Sequence, residues 1–378
     1  MKAATMGAGG SLQGVAPPRP LRALFLANDG LGAGHLVRTI AIARALVAVG
    51  EAEGVTAHTL VATTSEADTL LFGSPAIASL RLPAPARARA AGWTDAERRY
   101  VVEHVLLGAA EGFSPDVLVV DTFPSGPHAE AARLLREVPL RVLVRRTVRP
   151  EKRRSRALSE GLDLYDLVVV PDDPTPLPPE ALGARSVRVP PVTLGEPAEC
   201  LSRAEARRAL GLPRTGRCVL VGAGAGGDGG SNEALLRLVD LVREAAPTYL
   251  AVVAEGPLAE AGSFAGARSV RVAPLQRYLA AFDVAIAAAG YNTAHELAKA
   301  AVPTVLYAQE RPFDDQAARA KRFAEAGLAV ELAKATAEGL REALARARAL
   351  KPSPPAGGGA EAAARAIWSL ARGKAPAR

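Results

Sequence analysis

The chain has 378 residues, of which 49% are apolar and only 4% aromatic. This length allows two ordinary domains with cores of Leu, Val and Ala. No apolar run approaches the roughly 20 residues of a membrane-spanning helix, and residues 1–20 lack the apolar centre of a secretion signal, so we expect them to form a disordered leader. The two cysteines, Cys200 and Cys218, form no disulfide framework or metal set, which favours a cytoplasmic protein.

The formal net charge is +7, and arginine far outnumbers lysine. The densest basic cluster comprises Arg145, Arg146, Arg149, Lys152, Arg153, Arg154 and Arg156. It could attract a phosphorylated substrate or an anionic membrane surface, which would place the protein at the inner membrane face. The simpler alternative is a solvated basic face. Without interleaved aromatic residues, the cluster does not predict nucleic-acid binding.

Strand-like and helix-like stretches alternate in the first half of the chain. The predicted strands are 21–27, 57–62, 117–121, 140–144 and 168–170, and the predicted helices are 35–49, 96–108 and 129–137. These strands are short and apolar on both faces, as parallel strands covered by helices must be. The proline-rich stretch 171–197 can continue neither pattern, so we expect a linker and place a domain boundary at its end.

The second half repeats the alternation. Its predicted strands are 217–221, 249–254, 269–272, 284–288 and 304–307, and its predicted helices are 203–210, 232–246, 275–282, 293–300, 315–326 and 360–371. The sequence therefore predicts an α/β fold with two doubly wound, Rossmann-like domains, residues 21–195 and 196–350. Residues 351–378 would form a flexible stretch and a C-terminal helix that could return to the first domain. A ligand cleft would lie between the carboxyl ends of the strands.

The first predicted strand leads into a glycine turn that contains Gly32 and Gly34. A strand, glycine turn and helix aim free backbone N–H groups at an anion. His35 begins the helix, where the positive dipole end disfavours imidazolium, so a neutral ring could accept a proton from a hydroxyl or water. Asp121, at the end of a central strand, could orient that ring. Alternatively, His35 and Asp121 only fix their own turns.

A second glycine turn, residues 222–230, follows the first strand of the second half. Gly224, Gly226 and Gly229, with Ser231 at the next helix start, predict a phosphate-binding turn. The pattern formally matches a dinucleotide fingerprint, but Glu255 lies further on than the usual ~20 residues. An NAD-dependent dehydrogenase is therefore a distant alternative, and a flexible loop is another.

A third glycine, Gly290, follows an apolar run and precedes a helix. Asn292 or Thr293 would cap this helix, and the spacing from Thr293 to Glu296 is that of a capping box. In that interpretation Glu296 only satisfies a backbone N–H group. In the functional interpretation Glu296 accepts both hydroxyls of a nucleotide ribose, and the residues alone do not decide between the two.

The stretch from Gly290 to Glu296, with Val302-Pro303 before the next strand and Asp315-Gln316 at the next helix, resembles the donor-binding half of GT-B-fold nucleotide-sugar glycosyltransferases. It looks most like the group that contains the N-acetylglucosaminyltransferase that makes lipid II. The N-terminal pattern Gly34-His35-x-x-Arg38 resembles predicted bacterial glycosyltransferases. It also resembles the nucleotide-sugar hydrolase of the pseudaminic acid pathway.

The resemblance implies a transferase without metal or other cofactor that moves a sugar from a nucleotide diphosphate sugar, with UDP favoured, to an acceptor hydroxyl. The resemblance also implies inversion of the anomeric centre. His35 would be the general base and Glu296 the ribose ligand, while Asp315 and Gln316 would contact sugar hydroxyls. The acceptor would lie against Gly32, Gly34 and Arg38. The alternatives are a nucleotide-sugar hydrolase of the same fold and a non-catalytic nucleotide-sugar-binding protein or subunit.

Overall fold

A computed structural model describes residues 18–27, 32–67, 76–173, 185–195, 199–226, 231–259, 262 and 264–373. The leader expected in residues 1–20 therefore lies almost entirely outside the described residues. A seven-stranded parallel sheet forms from the first half, in the order β3-β2-β1-β4-β5-β6-β7. Its strands are β1 (Leu21–Ala27), β2 (Ala57–Thr63), β3 (Ala78–Arg81), β4 (Val117–Asp121), β5 (Leu140–Val144), β6 (Leu167–Pro171) and β7 (Ser186–Val189).

Helices cover both faces of this sheet, which is why its strands are apolar throughout. Phe25 and Val119 belong to a core on one face that includes Ile40 of the first helix, whereas Leu24 packs in a separate core on the other face. The helices of this half are α1 (Gly34–Ala52), α2 (Pro85–Ala90), α3 (Asp95–Phe113), α4 (Leu134–Glu137) and α5 (Arg156–Ser159), with 3₁₀ turns at Pro150–Lys152 and Leu162–Leu164.

The second half forms a six-stranded parallel sheet in the order β10-β9-β8-β11-β12-β13. Its strands are β8 (Arg217–Gly222), β9 (Tyr249–Ala254), β10 (Ala267–Val270), β11 (Val284–Ala288), β12 (Thr304–Tyr307) and β13 (Val330–Glu331). Its helices are α6 (Arg203–Ala209), α7 (Ser231–Ala245), α8 (Tyr291–Lys299), α9 (Gln316–Glu325) and α10 (Ala337–Ala349), with a 3₁₀ helix at Leu275–Ala281. The two doubly wound sheets predicted from the sequence are confirmed.

The last helix, α11 (Gly359–Ala371), packs on the N-terminal sheet. Ala363 and Ile367 are buried in the same core as Ile40 of α1. The approach is close at its first residue, since a Cβ on Gly359 would lie 2.1 Å from the carbonyl oxygen of Pro190. The C-terminal end of the chain thus completes the N-terminal core, while the exact boundary at residue 195 stays a prediction.

The ends of several predicted elements shift by a few residues, and two predictions differ more substantially from the structure. The helix expected at 129–137 is reduced to α4, because Gly126 and Ala129 have φ values of +82° and +61°, which no α-helix accommodates. The stretch 171–197 is not only a linker, because its residues Ser186–Val189 form the edge strand β7 beside β6. Edge strands tolerate neighbouring prolines, which explains why the proline content concealed this strand.

Both sheets reverse their winding between the first and fourth strand, that is, between β1 and β4 and between β8 and β11. Ligands of doubly wound sheets bind outside the carboxyl ends of the strands at such a reversal. The glycine turns after β1, β8 and β11 lie at these two reversal points. Within the described ranges, no helix has both the length and the apolar character needed to cross a bilayer.

Candidate active site between the two sheets

A cavity of about 520 Å³ lies between the two halves of the molecule, and we call it the interdomain cavity. Its N-terminal wall consists of lining residues from positions 32–146, which include Gly32, Gly34 and His35. Its C-terminal wall consists of lining residues from positions 220–316, which include Gly290 and Glu296. The structure therefore brings the predicted sites of both halves around one space.

His35 lies in the first turn of α1, with 15% of its side chain exposed on the N-terminal wall. Its Nδ1 atom lies 2.6 Å from Oδ1 of Asp121, the last residue of β4. The imidazole ring also packs against Phe123, with 5.7 Å between ring centroids. Adjacent strands β1 and β4 end at the same edge of the sheet, which explains how residues 86 positions apart meet.

Asp121 is buried and is surrounded by donors. It accepts hydrogen bonds from Nε of Arg38 at 2.7 Å and from Nη2 of Arg38 at 2.6 Å, and a third from the Thr122 hydroxyl at 2.7 Å. Burial alone would raise the pKa of Asp121, but the charges and hydrogen bonds of Arg38 and His35 hold it well below its usual value. An ionised carboxylate can only accept, so Nδ1 of His35 must donate. In the neutral imidazole this places the lone pair on Nε2.

Arg38, which was expected on the acceptor side, is among the residues that line the N-terminal wall, and its contact with an acceptor stays a prediction. It follows His35 by three residues on α1, so both side chains share one face of the helix and reach Asp121 together. Its side chain is buried, and its guanidinium lies over the ring of Tyr291 from the other half, 5.5 Å from the centroid. Arg38 therefore fixes the charge and position of Asp121.

The helix α8 begins at Tyr291, earlier than predicted, and this overturns the predicted cap. Gly290 is the N-cap residue, with extended backbone and no side-chain cap hydrogen bond. Asn292 and Thr293 lie in the first turn, so the capping box of Thr293 with Glu296 does not form. Gly290, Asn292 and Thr293 line the interdomain cavity, and the side-chain amide of Asn292 donates to the carbonyl oxygen of Gly34 at 3.3 Å.

Glu296 lies in the second turn of α8 and lines the C-terminal wall. Its carboxylate forms no hydrogen bond with any residue that the structure describes. Burial raises the pKa of Glu296 to about 7, and the charge of Lys299 opposes this only in part. Lys299 itself donates to the carbonyl oxygen of Gly195 at 3.0 Å. Glu296 is thus a partly buried carboxylate that receives no hydrogen bond from the residues that the structure describes.

Two of the helices that begin at the interdomain cavity have no side-chain caps. Neither α1 nor α8 has one, whereas Thr94 and Thr336 cap α3 and α10. An uncapped helix N-terminus presents unsatisfied N–H groups and a partial positive charge. Both uncapped ends face the same cavity, which makes it suited to anionic groups such as a diphosphate.

The second glycine turn also lines the C-terminal wall. Gly224 and Gly226 have φ values of +93° and +82°, and a Cβ on Gly226 would lie 2.4 Å from Cβ of Ala259. Only glycine fits this turn without strain. Gly229 lies outside the described residues. Ser231 begins α7, but its side chain lies outside the description, so the phosphate-binding role of both stays a prediction.

At the start of α9, three consecutive residues have different roles. Asp315 is the N-cap and accepts from the Ala318 backbone N–H at 3.1 Å, so this carboxylate acts as a helix cap. Gln316 is buried at the cavity, where its Oε1 accepts from the Gln309 N–H at 3.0 Å. Asp314, which the sequence did not single out as a ligand, lines the cavity in the place expected of Asp315.

Asp314 belongs to a network that connects the two halves of the molecule. It accepts from Arg146 of the N-terminal half at 2.7 Å and from Arg319 of α9 at 2.9 Å. Arg319 also donates to Asp173 at 2.9 Å. Burial alone would raise the pKa of Asp314, but the charges of Arg146 and Arg319 hold it well below its usual value. The halves are therefore joined by charged contacts beside the cavity.

The basic cluster expected as a solvated face is partly internal. Arg145 is buried and donates to the carbonyl oxygen of Leu158, and Arg146 pairs with Asp314. Arg149 donates to the carbonyl oxygen of Arg311 in the other half. The exposed members are Lys152, Arg154 and Arg156. Three of the seven residues of the cluster therefore serve packing and contacts between the halves.

Within the part of the chain that the structure describes, no group of three or more His, Cys, Asp or Glu side chains is placed to hold a metal ion. Two histidines outside the cavity lining show other roles. His295 is buried between the rings of Tyr291 and Phe323, at centroid distances of 4.5 and 5.1 Å, and burial lowers its pKa to about 4. His104 is exposed on α3.

No family model matches the chain, and no curated protein matches it in sequence. Solved structures do match its fold. A kitacinnamycin glycosyltransferase has a TM-score of 0.59 at 20% identity, covering 93% of this chain and 99% of its own. The spinosyn rhamnosyltransferase SpnG, solved with spinosyn aglycone, has a TM-score of 0.53 at 21% identity, with 94% and 98% coverage.

A putative UDP-N-acetylglucosamine 2-epimerase from Listeria monocytogenes also matches, with a TM-score of 0.60 at 12% identity and coverage of 96% of this chain and 99% of its own. At these identities the likeness defines the fold. The protein has the GT-B fold, with two Rossmann-like α/β halves that face each other, as the sequence resemblance predicted.

Proposed function

We propose that the protein is a glycosyltransferase that moves a sugar from a nucleoside diphosphate sugar to an acceptor hydroxyl with inversion. The main supporting observation is that His35, which is paired with the buried Asp121, lines the same cavity as Glu296 and the uncapped start of α8. One wall offers an oriented base and the other offers an anion site with a carboxylate. This is the combination that direct transfer from a diphosphate donor requires.

In the proposed reaction, Nε2 of His35 accepts the proton of the acceptor hydroxyl. The hydroxyl oxygen then forms a bond to the anomeric carbon, while the bond from that carbon to the diphosphate oxygen breaks and the nucleoside diphosphate leaves. Asp121, held by Arg38, orients the ring through Nδ1 and stabilises the imidazolium that forms. A positioned base contributes about 10²- to 10⁴-fold to such a step.

The donor would bind the C-terminal wall. Glu296 would accept hydrogen bonds from the ribose hydroxyls, and the N–H groups at the start of α8 would face the diphosphate with the turn of Gly224 and Gly226. Gln316 would contact the sugar. We favour UDP as the nucleotide, and thymidine diphosphate, with which SpnG has been solved, is the second candidate.

The acceptor would bind the N-terminal wall next to His35. Phe123 packs against the imidazole ring of His35 and contacts Phe313 of the other half edge-to-face, with 5.3 Å between ring centroids. Aromatic rings therefore line this end of the cavity. A hydroxylated acceptor with a flat, apolar body fits such a surface. His35 would activate water equally well, so the hydrolase of the same fold is the second candidate.

The test is product analysis with UDP- and dTDP-sugars and a panel of hydroxylated aromatic acceptors. A new glycoside indicates transfer, free sugar indicates hydrolysis, and nucleotide binding without turnover indicates a non-catalytic protein. We expect His35→Ala to lower kcat by about 10²- to 10⁴-fold. The control His104→Ala changes an exposed histidine and should keep the wild-type rate. Full activity in His35→Ala would refute the assigned base.

A further inference from the structure

Four arginines are among the largest fully buried side chains that the structure describes, and one of them differs from the others. Arg38 pairs with Asp121, Arg207 with Asp283, and Arg319 with Asp173 and Asp314. The fourth is Arg98, whose one hydrogen bond runs from Nη1 to the carbonyl oxygen of Pro83 at 3.5 Å. Its Nε atom is buried without a partner, and no described carboxylate lies within ion-pair distance.

A buried guanidinium without an anion is costly, because desolvation of the charge is not repaid. Arg145 is the nearest parallel, since it is 3% exposed and donates to one carbonyl oxygen at 3.1 Å. Arg145, however, does not line the interdomain cavity, whereas Arg98 does. Arg98 is therefore a buried cation at a ligand cavity whose charge the described residues leave uncompensated.

The position of Arg98 on α3 is unusual for a charged residue. The buried residues of this helix are Arg98, Val102, Leu106 and Ala110, which are spaced by about one turn. Arg98 therefore occupies a position at which an amphipathic helix normally has an apolar side chain. It also lies near the N-terminus of the helix, where the dipole adds positive potential and favours an anion.

The acidic residues near Arg98 are engaged elsewhere. Asp95 and Glu97 are exposed in the first turn of α3, where Asp95 meets Arg89 and Glu97 completes the capping box with Thr94. Glu130 is a buried carboxylate on the N-terminal wall, and its Oε2 accepts from the His128 backbone N–H at 2.7 Å. None of these carboxylates pairs with Arg98.

We propose that Arg98 binds an anionic group of the acceptor, a carboxylate or a phosphate ester, at the N-terminal wall. The planar guanidinium matches either group in a bidentate pair. His35 and Phe123 line the same wall, so an acceptor could place its hydroxyl at His35, its flat body beside Phe123 and its anion at Arg98. This inference rests on the proposed function only where it calls the bound anion part of the acceptor.

The test follows the Nε–H signal of Arg98 by ¹⁵N NMR in the full-length protein, assigned by its loss in Arg98→Met. The probes are 4-hydroxybenzoate, 4-hydroxyphenyl phosphate, inorganic phosphate and the neutral methyl 4-hydroxybenzoate. Methionine replaces the unbranched apolar stem of arginine and carries no charge. The control is Arg99→Met, which removes the same charge from the exposed neighbouring residue.

We expect at least one anionic probe to shift the Arg98 signal saturably in the wild type and in Arg99→Met. The Kd should rise about 10- to 100-fold in Arg98→Met, as for loss of a charged hydrogen bond. The methyl ester should not distinguish the variants. Preference for the benzoate over the phosphates identifies a carboxylate site, and the reverse preference identifies a phosphate-ester site.

Equal binding of the anions to wild type and Arg98→Met would overturn the proposal, as would no response of Arg98 to any anion at millimolar concentration. Nucleoside diphosphate binding, measured on the same samples, separates this inference from the proposed function. If no nucleoside diphosphate binds but anions still bind at Arg98, the proposed transferase is refuted and the anion site remains. If the protein turns over a donor but anions bind equally well with and without Arg98, only the anion site is refuted.

Discussion

Asp121 is buried next to His35 of the N-terminal wall, whereas Glu296 lines the C-terminal wall, and the surroundings of these two carboxylates are opposite in kind. Asp121 has the Arg38 guanidinium, the His35 ring and the Thr122 hydroxyl around it, and its pKa lies well below the usual range. Glu296 has no hydrogen bond from the described residues, and burial raises its pKa to about 7.

The difference shows which carboxylate receives its hydrogen bonds from the protein itself and which one lacks them. Asp121 is ionised and fixed before any ligand arrives, so it can orient His35 but offers little to a substrate. Glu296 carries the cost of burial without a partner, so a ligand that donates hydrogen bonds to it recovers that cost. We therefore assign Asp121 to positioning and Glu296 to binding, and the following variants test this division.

The largest effect is expected from Asp121→Asn. This substitution leaves the buried charge of Arg38 without its counter-ion and removes the acceptor that fixes the tautomer of His35. We expect the free energy of unfolding to fall by about 3 kcal/mol or more, and kcat to fall by about 10²- to 10⁴-fold. Denaturant unfolding and steady-state rates measure the two.

The matched control is Asp95→Asn, which removes an exposed aspartate that meets an exposed arginine. It should change the free energy of unfolding by less than about 1 kcal/mol. If Asp121→Asn lowers the free energy of unfolding as little as this control does, Asp121 is not the counter-ion on which buried Arg38 depends.

A smaller effect is expected on the pH dependence of the free energy of unfolding, to which the two carboxylates contribute in different pH ranges. The folded-state pKa of Glu296 is raised from 4.5 to about 7, so folding favours its neutral form. Its contribution to stability is present below the unfolded-state pKa and is lost as pH rises through about 7. Asp121 has a lowered pKa, so its contribution is present above the unfolded-state value and is lost only in acid. Asp121 therefore adds no slope near neutrality.

Glu296→Gln imitates the neutral form at every pH. After allowance for water in the cavity, we expect it to be about as stable as wild type near pH 5 and about 2 kcal/mol more stable near pH 8. Denaturant unfolding at both pH values measures this. A constant difference between the two proteins across this range would show that Glu296 is already solvated or paired.

The smallest effect is expected at Asp315, a third carboxylate near the cavity. Because its side chain caps α9, Asp315→Ala should cost about 1 kcal/mol of unfolding free energy, with KM for the sugar donor unchanged. Asp315→Asn keeps a good cap and should be close to wild type. A large loss of activity in both variants would instead restore Asp315 as a sugar ligand.

Much of the fold could be predicted because apolar strands and glycine turns are local signals. The alternation between residues 21 and 307 indicates two doubly wound sheets without knowledge of any contact. The pairing of His35 with Asp121 also follows from local signals, because Asp121 is the last residue of a central strand and His35 lies at the start of the helix that follows the adjacent strand. The structure places their atoms 2.6 Å apart. The catalytic roles of both remain our proposal.

The partners of the charged residues could not be predicted, because they are distant in the sequence. Arg38 and Asp121 are 83 positions apart, Arg319 and Asp173 are 146 apart, and Arg146 and Asp314 are 168 apart. The sequence shows only basic and acidic residues there. For the same reason, the buried state of Arg98 is visible only once the helix has been packed.

The start of α8 illustrates a local failure. Thr293 and Glu296 have the spacing of a capping box, but the helix begins at Tyr291 with Gly290 as its cap residue. The true start has no side-chain signal, because Gly290 has no side chain that could cap the helix. The misplaced cap concealed the feature that makes Glu296 available.

The most direct test of the division between the carboxylates is calorimetric titration of UDP and dTDP into wild type, Glu296→Gln and Glu325→Gln, a control for an exposed glutamate. We predict that one nucleotide binds wild type and Glu325→Gln equally and binds Glu296→Gln about 10- to 100-fold more weakly. Equal binding to all three proteins, or no binding to the wild type, would contradict the account.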